Sequence, residues 1–124
     1  MKNRFPNAII GENVKIGENC EIGYGVVIHD DTVIGDNVRI DDYAVIGKLP
    51  MKAANSAVTK ECELPSCTIG SGVIIGTSAV IYRGCSIGEK VLIADLGTVR
   101  ERVSIGDFTI IGRGATVECD SPVG

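Results

Sequence analysis

Length, charge and composition exclude several classes of protein. The chain has 124 residues, enough for one domain and few for two. Its net charge of -4 disfavours binding to nucleic acid, because phosphate backbones attract basic surfaces. We find no signal peptide and no apolar stretch long enough to cross a membrane. We therefore expect no membrane association and a cytoplasmic location.

The use of cysteine and histidine argues against disulfide and metal chemistry. The five cysteines form no C-x-x-C pair, and their odd number does not suit a disulfide framework. A single histidine leaves too few nitrogen ligands for a zinc site, so we expect no metal. Cys20, Cys67 and Cys85 fall at a small-residue position of the repeat described next. There we expect them to be buried as small apolar groups.

A six-residue repeat runs through most of the chain. Between positions 8 and 47 an isoleucine stands at every sixth residue, at Ile10, Ile16, Ile22, Ile28, Ile34, Ile40 and Ile46. The spacing returns between 67 and 124, at Ile69, Ile75, Ile81, Ile87, Ile93, Val99, Ile105, Ile111, Val117 and Val123. Ile and Val supply only 31 of the 124 residues, so their presence at all 17 positions is not coincidence.

Each repeat has the pattern of a very short strand followed by a corner. A small or short-branched residue lies two positions before each large one, and that spacing puts both side chains on one face of a strand. Glycine follows the large residue at 11 of the 17 positions. Asn or Gly often comes two residues later, and both tolerate the positive φ of a tight corner. Three such units predict a triangular coil of 18 residues that stacks on its neighbours as an all-β prism.

These units resemble a known family. The segments IGENVKIGENCEIG, VIGDNVRI and TIIGRGATV are similar to those of the hexapeptide-repeat acyltransferases, and the similarity covers roughly 8–47 and 67–124. The resemblance implies a left-handed parallel β-helix that uses a coenzyme A thioester as co-substrate and a small, sugar-like acceptor. It also implies a homotrimer with sites between subunits. The left hand is taken from the resemblance, because parallel crossover connections are otherwise right-handed.

An excursion over 48–66 separates the two runs. Ile46 and Ile69 are 23 residues apart, which is not a multiple of six, so part of the segment must leave the coil. Pro50 and Pro65 mark its two ends. We consider two roles for it: a solvated loop, or an arm that covers a substrate or reaches a neighbouring subunit.

We expect a single β-helix domain over 1–124, with coils at 8–47 and 67–124. The final segment ECDSPVG stays in register and no capping helix follows it, although terminal repeats normally carry a cap. We therefore expect either a chain shorter than its natural length or an end that another copy covers.

The one histidine is the candidate for catalysis. His29 stands where most repeats have glycine, directly after inward-facing Ile28, so we expect it to face outward. Gly11 and Gly47 lie 18 residues before and after it, which leaves a notch on either side in the stack. Imidazole accepts protons near neutral pH, so His29 could be the general base that activates an acceptor amine or hydroxyl. The alternative is a surface or interface histidine.

Residues near the end of the second run are candidates for binding coenzyme A. Arg100 and Arg113 could meet its phosphates, which an acidic chain must attract locally. The alternative is that these arginines face solvent and pair with nearby acids. By resemblance to the family, the pantetheine arm would run along the backbone of Gly112, Gly114 and Ala115.

Two functions from different classes remain open. The first is an acyltransferase that moves an acetyl or other acyl group from coenzyme A to an amino or hydroxyl group of a sugar or nucleotide-sugar. The alternative is a non-catalytic, trimerising β-helix module or a truncated fragment of a larger transferase. Zinc carbonic anhydrases have similar coils, but their metal needs three imidazoles from two neighbouring chains, which one histidine per chain cannot supply.

Overall fold

The computed structural model describes residues 4–51, 63–120 and 122–124, which form short parallel strands joined by corners. In chain order the strands are β1 (Ile9–Ile10), β2 (Lys15–Ile16), β3 (Glu21–Ile22), β4 (Val27–Ile28), β5 (Val33–Ile34), β6 (Arg39–Ile40), β7 (Val45–Lys48), β8 (Thr68–Ile69), β9 (Ile74–Ile75), β10 (Val80–Tyr82), β11 (Ser86–Ile87), β12 (Leu92–Ile93), β13 (Thr98–Val99), β14 (Ser104–Ile105), β15 (Ile110–Ile111), β16 (Thr116–Val117) and β17 (Pro122–Val123). Each contains one of the 17 predicted repeat positions. None of the described residues belongs to a helix that could cross a bilayer.

Every third strand belongs to the same sheet, so three parallel sheets form the sides of a prism. Sheet A contains β1, β4, β7, β10, β13 and β16, sheet B contains β2, β5, β8, β11, β14 and β17, and sheet C contains β3, β6, β9, β12 and β15. The predicted all-β, left-handed parallel β-helix is confirmed. We name the corners after the strands of sheets A, B and C the A–B, B–C and C–A edges.

Residues 18 apart lie directly over one another, as the period predicts. Ile10 pairs with Ile28, and Ile28 pairs with Ile46. The backbone between coils is hydrogen bonded throughout, as where the Val27 N–H donates to the Ala44 carbonyl at 3.0 Å. The hydrogen bonds of each coil therefore fix the register of the strands in the next coil.

The large residue of each repeat points into the prism. Ile28, Ile46 and Ile81 in the central coils are fully buried, and each such burial is worth about 1.5–3 kcal/mol. Ile16 and Val123 near the two ends are only partly buried, because one neighbouring coil covers them instead of two. The aliphatic column is thus the core of the protein.

The cysteines at small-residue positions lie where the repeat predicts. Cys67 and Cys85 are buried, and Cys20 is half-buried against the same core. Cys62 lies outside the described residues.

Corners contain residues with positive φ, many of them at predicted positions. Those predicted from Asn and Gly are confirmed at Asn13, Asn19, Gly25, Asn37, Gly72, Gly84 and Gly114. Among the other residues that adopt this conformation are three with large apolar or aromatic side chains, Tyr43, Leu96 and Phe108. A bulky side chain with positive φ costs on the order of 1–2 kcal/mol, so the stacking of the coils overrides local preference there.

The predicted excursion is confirmed between β7 and β8. Val33 pairs with Thr68, a separation of 35 residues where other coils have 18. Tyr82 pairs with Lys48, so Gly47 becomes an extra residue and the ladder bulges at that point. Residues 49–51 and 63–66 of the excursion are described, and 52–62 lie outside the described residues.

Candidate active site

A groove of about 290 Å³ opens on the A–B edge, where the corner after β4 meets the start of the excursion. Its lining residues are His29, Asp30, Asp31, Gly47, Leu49 and Arg83. The volume is at the lower end of the range for sites that bind small molecules.

The stack fixes the backbone of His29 and leaves its side chain half-exposed. The His29 N–H donates to the Ile46 carbonyl at 2.9 Å, and the Thr32 hydroxyl donates to the His29 carbonyl at 2.8 Å. Behind it lies Gly47, whose φ is +82°. A Cβ on Gly47 would approach His29 Cβ to 3.4 Å and Thr32 Oγ1 to 2.8 Å. Glycine is therefore required beneath the imidazole.

Gly11 occupies the same position one coil earlier. Its N–H donates to the Ile28 carbonyl at 2.8 Å, and a Cβ on it would collide with the Asp30 carboxylate. His29 thus stands between two glycines in the stack, as its spacing predicts. The walls formed by Leu49 and Arg83 are additional, because the excursion and the coil after it bring them in.

The two carboxylates that follow His29 differ in role. Asp30 Oδ1 accepts from the Glu12 N–H at 2.8 Å, which fastens one corner to the previous one. Asp31 accepts from Asn13 Nδ2 at 3.0 Å and lies 3.4 Å from Arg83 Nη2. The hydrogen bond from Asn13 and, after it, that from Arg83 lower the pKa of Asp31. The lowered pKa favours the charged form of Asp31 at the groove, where Arg83 compensates its charge.

The same Asp–backbone contact recurs along the prism. Asp36, Asp42, Asp95 and Asp107 each accept from the N–H of a corner residue 18 positions earlier, at 2.8–2.9 Å. The Asp30 contact is therefore a feature of the coil, and Asp31 is the carboxylate peculiar to this groove.

Arg83 also belongs to the groove, although no pattern in the sequence predicted it there. Its side chain is only 21% exposed, and its guanidinium hydrogen bonds to Asp30, Asp31 and Leu64. No spacing rule could have paired it with Asp30, because the two residues are 53 positions apart and the excursion lies between them. The one available signal was that Arg83 follows Tyr82, which stands at the position where most repeats of the chain have glycine.

Arg100 lies on the A–B edge as well, but its charge is already engaged. Its Nε lies 2.9 Å from Glu101 Oε1, as the alternative of pairing with nearby acids predicted. Its guanidinium carbon lies 4.9 Å from the centroid of the buried Tyr82 ring, and Lys48 Nζ lies 5.6 Å from that centroid. Two cations therefore contact one aromatic ring next to the His29 groove.

The other candidates for binding coenzyme A lie elsewhere. Gly112, Arg113, Gly114 and Ala115 form the exposed C–A corner after β15. A Cβ on either glycine would meet nothing within 4 Å, so the backbone there is open. This corner is three coils and one edge away from His29, about 14 Å along the prism axis alone. A single chain does not bring it together with the groove.

Cysteine and metal chemistry find no support in the described residues. Burial raises the pKa of Cys85 to about 11 and also raises that of Cys67, which disfavours a thiolate nucleophile at either position. The part of the chain that the structure describes contains no group of three or more potential metal ligands.

Comparison with known proteins identifies the repeat. A family model described as bacterial transferase hexapeptide (six repeats) matches residues 5–30. Perosamine N-acetyltransferase from Caulobacter crescentus, solved with CoA and GDP-perosamine, superimposes with a TM-score of 0.77 at 28% identity over 96% of this chain. The predicted resemblance to the hexapeptide-repeat transferases is confirmed. The chain spans 49% of that enzyme's length.

Two further structures extend the comparison. UDP-N-acetylglucosamine acyltransferase from Francisella novicida has a TM-score of 0.55 at 28% identity, over 96% of this chain and 55% of its own. The enzyme of the same name from Campylobacter jejuni has a TM-score of 0.61 at 23% identity, over 94% of this chain and 60% of its own, and it supports the fold alone. No curated protein sequence matches the chain significantly. Both of the enzymes named above that are 28% identical to this chain are acyltransferases.

Proposed function

We propose that the protein transfers an acetyl or other acyl group from coenzyme A to an amino group of a sugar or nucleotide-sugar, with a hydroxyl acceptor as the second possibility. The observation that carries this proposal is the half-exposed His29 in a groove between Gly11 and Gly47. The similar perosamine N-acetyltransferase, solved with CoA and GDP-perosamine, supports the type of reaction. Such a co-substrate also agrees with a cytoplasmic location, which we include in the proposal.

His29 would act as the general base. The acceptor nitrogen attacks the thioester carbonyl carbon, and the imidazole takes the proton that the nitrogen releases. The C–S bond then breaks, and the imidazolium returns the proton to the departing thiolate of coenzyme A. A positioned general base contributes on the order of 10²–10⁴-fold to the rate.

The charges around the groove favour an amine over a hydroxyl. Arg83 compensates the carboxylate of Asp31, whereas Asp30 carries a second negative charge beside His29. A protonated amine would be drawn to this side of the prism by Coulomb attraction, lose its extra proton to solvent, and attack as the free amine while His29 is still neutral. The phosphates of a nucleotide-sugar would have to bind outside this groove.

Coenzyme A would bind the residues predicted for it, but Arg100 and Arg113 would not contribute equally to the contact with its phosphates. None of the ion pairs in the described part of the chain involves Arg113, and the backbone at Gly112, Gly114 and Ala115 is exposed. Arg100 would contact a phosphate only by sharing its pairing with Glu101. Because His29 and Arg113 lie on different edges, we propose that the complete site forms between neighbouring copies.

A homotrimer would provide such a site. The outward residues of the first four strands of sheet A are apolar, namely Ile9, Val27, Val45 and Val80, and threonine follows in the last two strands. On the adjoining C–A edge Tyr24, Tyr43 and Leu96 are 58–64% exposed. A contiguous apolar surface of this kind is typical of a protein–protein interface.

The function is tested by acetyl-CoA turnover with GDP-perosamine as amino acceptor and UDP-N-acetylglucosamine as hydroxyl acceptor. We expect the wild type to prefer the amine and His29→Ala to lose about 10²-fold or more in kcat. Asn37→Ala, a corner substitution on another edge, is the matched control. Equal rates for wild type and His29→Ala would remove His29 from the mechanism.

The second candidate is a non-catalytic, trimerising module or a fragment of a larger transferase. The chain's coverage of only 49% of the perosamine enzyme favours it, as does the engagement of Arg100 with Glu101. Titration calorimetry separates the two candidates. Heat of coenzyme A binding at micromolar to millimolar concentrations supports the enzyme, and its absence supports the module.

A further inference from the structure

The Arg83 side chain joins two segments that are far apart in sequence. Nη1 donates to the Asp30 carbonyl at 2.9 Å and Nη2 lies 3.4 Å from Asp31 Oδ2, both in the corner that carries His29. Nε donates to the Leu64 carbonyl at 3.1 Å, in the returning arm of the excursion. One guanidinium therefore links this arm to the His29 corner.

The backbone around Arg83 is also fixed. Its N–H donates at 2.8 Å to the carbonyl of Lys48, the last residue of β7. The next residue is Gly84, with a φ of +88°, and a Cβ there would lie 3.3 Å from Leu64 Cδ2. The arm thus packs on the corner that carries Arg83, and the guanidinium extends from a defined point.

We propose that Arg83 is a positioning residue that clamps the returning arm of the excursion to the His29 corner and so sets the shape of the acceptor groove. Its effect on catalysis rests on the acyl transfer proposed above, whereas the clamp itself does not. Arginine suits this role because its rigid, planar fork can serve two carbonyls and a carboxylate at once. A lysine ammonium carries all of its N–H donors on one nitrogen, so it cannot reach three separate acceptors in this geometry.

The hydrogen bonds of Arg83 hold the two sides of the groove together. His29 and Asp31 are held by the coil, whereas the wall opposite them begins where the chain leaves β7 at Lys48. Arg83 connects both sides, because its backbone N–H donates to the Lys48 carbonyl and its guanidinium donates to the Asp30 carbonyl. Its side chain is 21% exposed, so water competes little for its hydrogen bonds. Loss of the guanidinium would free the arm and leave two carbonyls without their donor.

The experiment compares the 124-residue wild type with Arg83→Gln, Arg83→Lys and the control Arg39→Gln, whose ion pair with Asp41 lies beside sheet C. The first readout is the NMR cross-peak between the Leu64 methyls and the Gly84 α-protons. We expect it in the wild type and control and not in Arg83→Gln. The second is the Asp31 carboxyl titration, where Arg83→Gln should raise the pKa towards its ordinary value while the Asn13 hydrogen bond keeps part of the lowering.

The third readout is kinetic. With GDP-perosamine as the acceptor probe, Arg83→Gln should raise the acceptor KM about tenfold while the KM for acetyl-CoA stays unchanged. Arg83→Lys keeps the charge but not the fork, so it should preserve the Asp31 titration and still lose the Leu64 contact.

Each result bears on a separate part of the proposal. A persistent Leu64–Gly84 cross-peak in Arg83→Gln would show that there is no clamp. A lost cross-peak with an acceptor KM equal to that of Arg39→Gln would show that the clamp does not position the acceptor. A wild type without turnover would overturn the proposed function, and the cross-peak and the titration would still decide whether the clamp exists.

Discussion

The B–C and A–B edges use the same repeat position in opposite ways. On the B–C edge the residue after each inward aliphatic is always glycine, at Gly17, Gly35, Gly70, Gly88, Gly106 and Gly124. On the A–B edge the corresponding residues are Gly11, His29, Gly47, Tyr82, Arg100 and Glu118. One edge is uniform, and the other holds the candidate base and the aromatic–cation cluster.

Contact between backbones explains the uniform edge. A Cβ on Gly70 would lie 2.6 Å from the carbonyl carbon and oxygen of Gly88 in the next coil, so no side chain fits. On the A–B edge His29 has Gly47 beneath it, and the extra residue there shifts the alignment of Tyr82. The A–B edge thus departs from regular stacking in the coil that follows His29.

The largest expected effect comes from a methyl group placed on the uniform edge. Gly70→Ala should lower the free energy of unfolding by about 3 kcal/mol or more, because the added Cβ must push two backbones apart. The matched control is Gly112→Ala on the C–A edge, where a Cβ meets nothing within 4 Å. We expect that change to stay within about 0.5 kcal/mol. Equal urea midpoints for the two variants would contradict the explanation from backbone contact.

A second substitution tests whether neighbouring copies complete the irregular edge. Val45→Asp places a charge on the outward face of sheet A. If that face is the trimer interface, the unpaired buried charge should weaken association by about 100-fold or more. Val33→Asp on sheet B is the same change on another face and should leave the assembly intact. Sedimentation velocity measures both, and a monomeric wild type would remove the trimer from the proposed function.

The smallest expected effect concerns a bulky corner residue of the B–C edge. Phe108 is 69% exposed and has a φ of 64°, whereas Asn19 and Asn37 occupy the same corner position in other coils. Phe108→Asn should stabilise the fold by about 0.5 kcal/mol, because relief of strain exceeds the loss of the Lys90 contact with the ring. Thermal unfolding measures the change, and a lower midpoint would show that the ring contributes more than its strained backbone costs.

The sequence predicted the strands and part of the site for one reason. The hexapeptide rule is local: Ile28 must point inward, so His29 must point outward, and Gly11 and Gly47 follow from the 18-residue coil. Arg83 could not be placed in this way, because the coil that contains the excursion has 35 residues and breaks the count. The ion pair between Arg100 and Glu101 could not be assigned from the repeat either, since it depends on the conformations of the two side chains.

By itself, the sequence determined a prism of stacked triangular coils, its aliphatic core and the position of one outward histidine on an edge. A large residue every six positions, with a small one two positions earlier, puts one buried pair on each short strand, so composition and period predicted the coil, whereas its left hand came from the family resemblance. Only the tertiary structure decided which side chains surround His29. The groove joins segments that no period relates, and the chain must leave the coil and return before Arg83, Leu64 and Asp31 can meet.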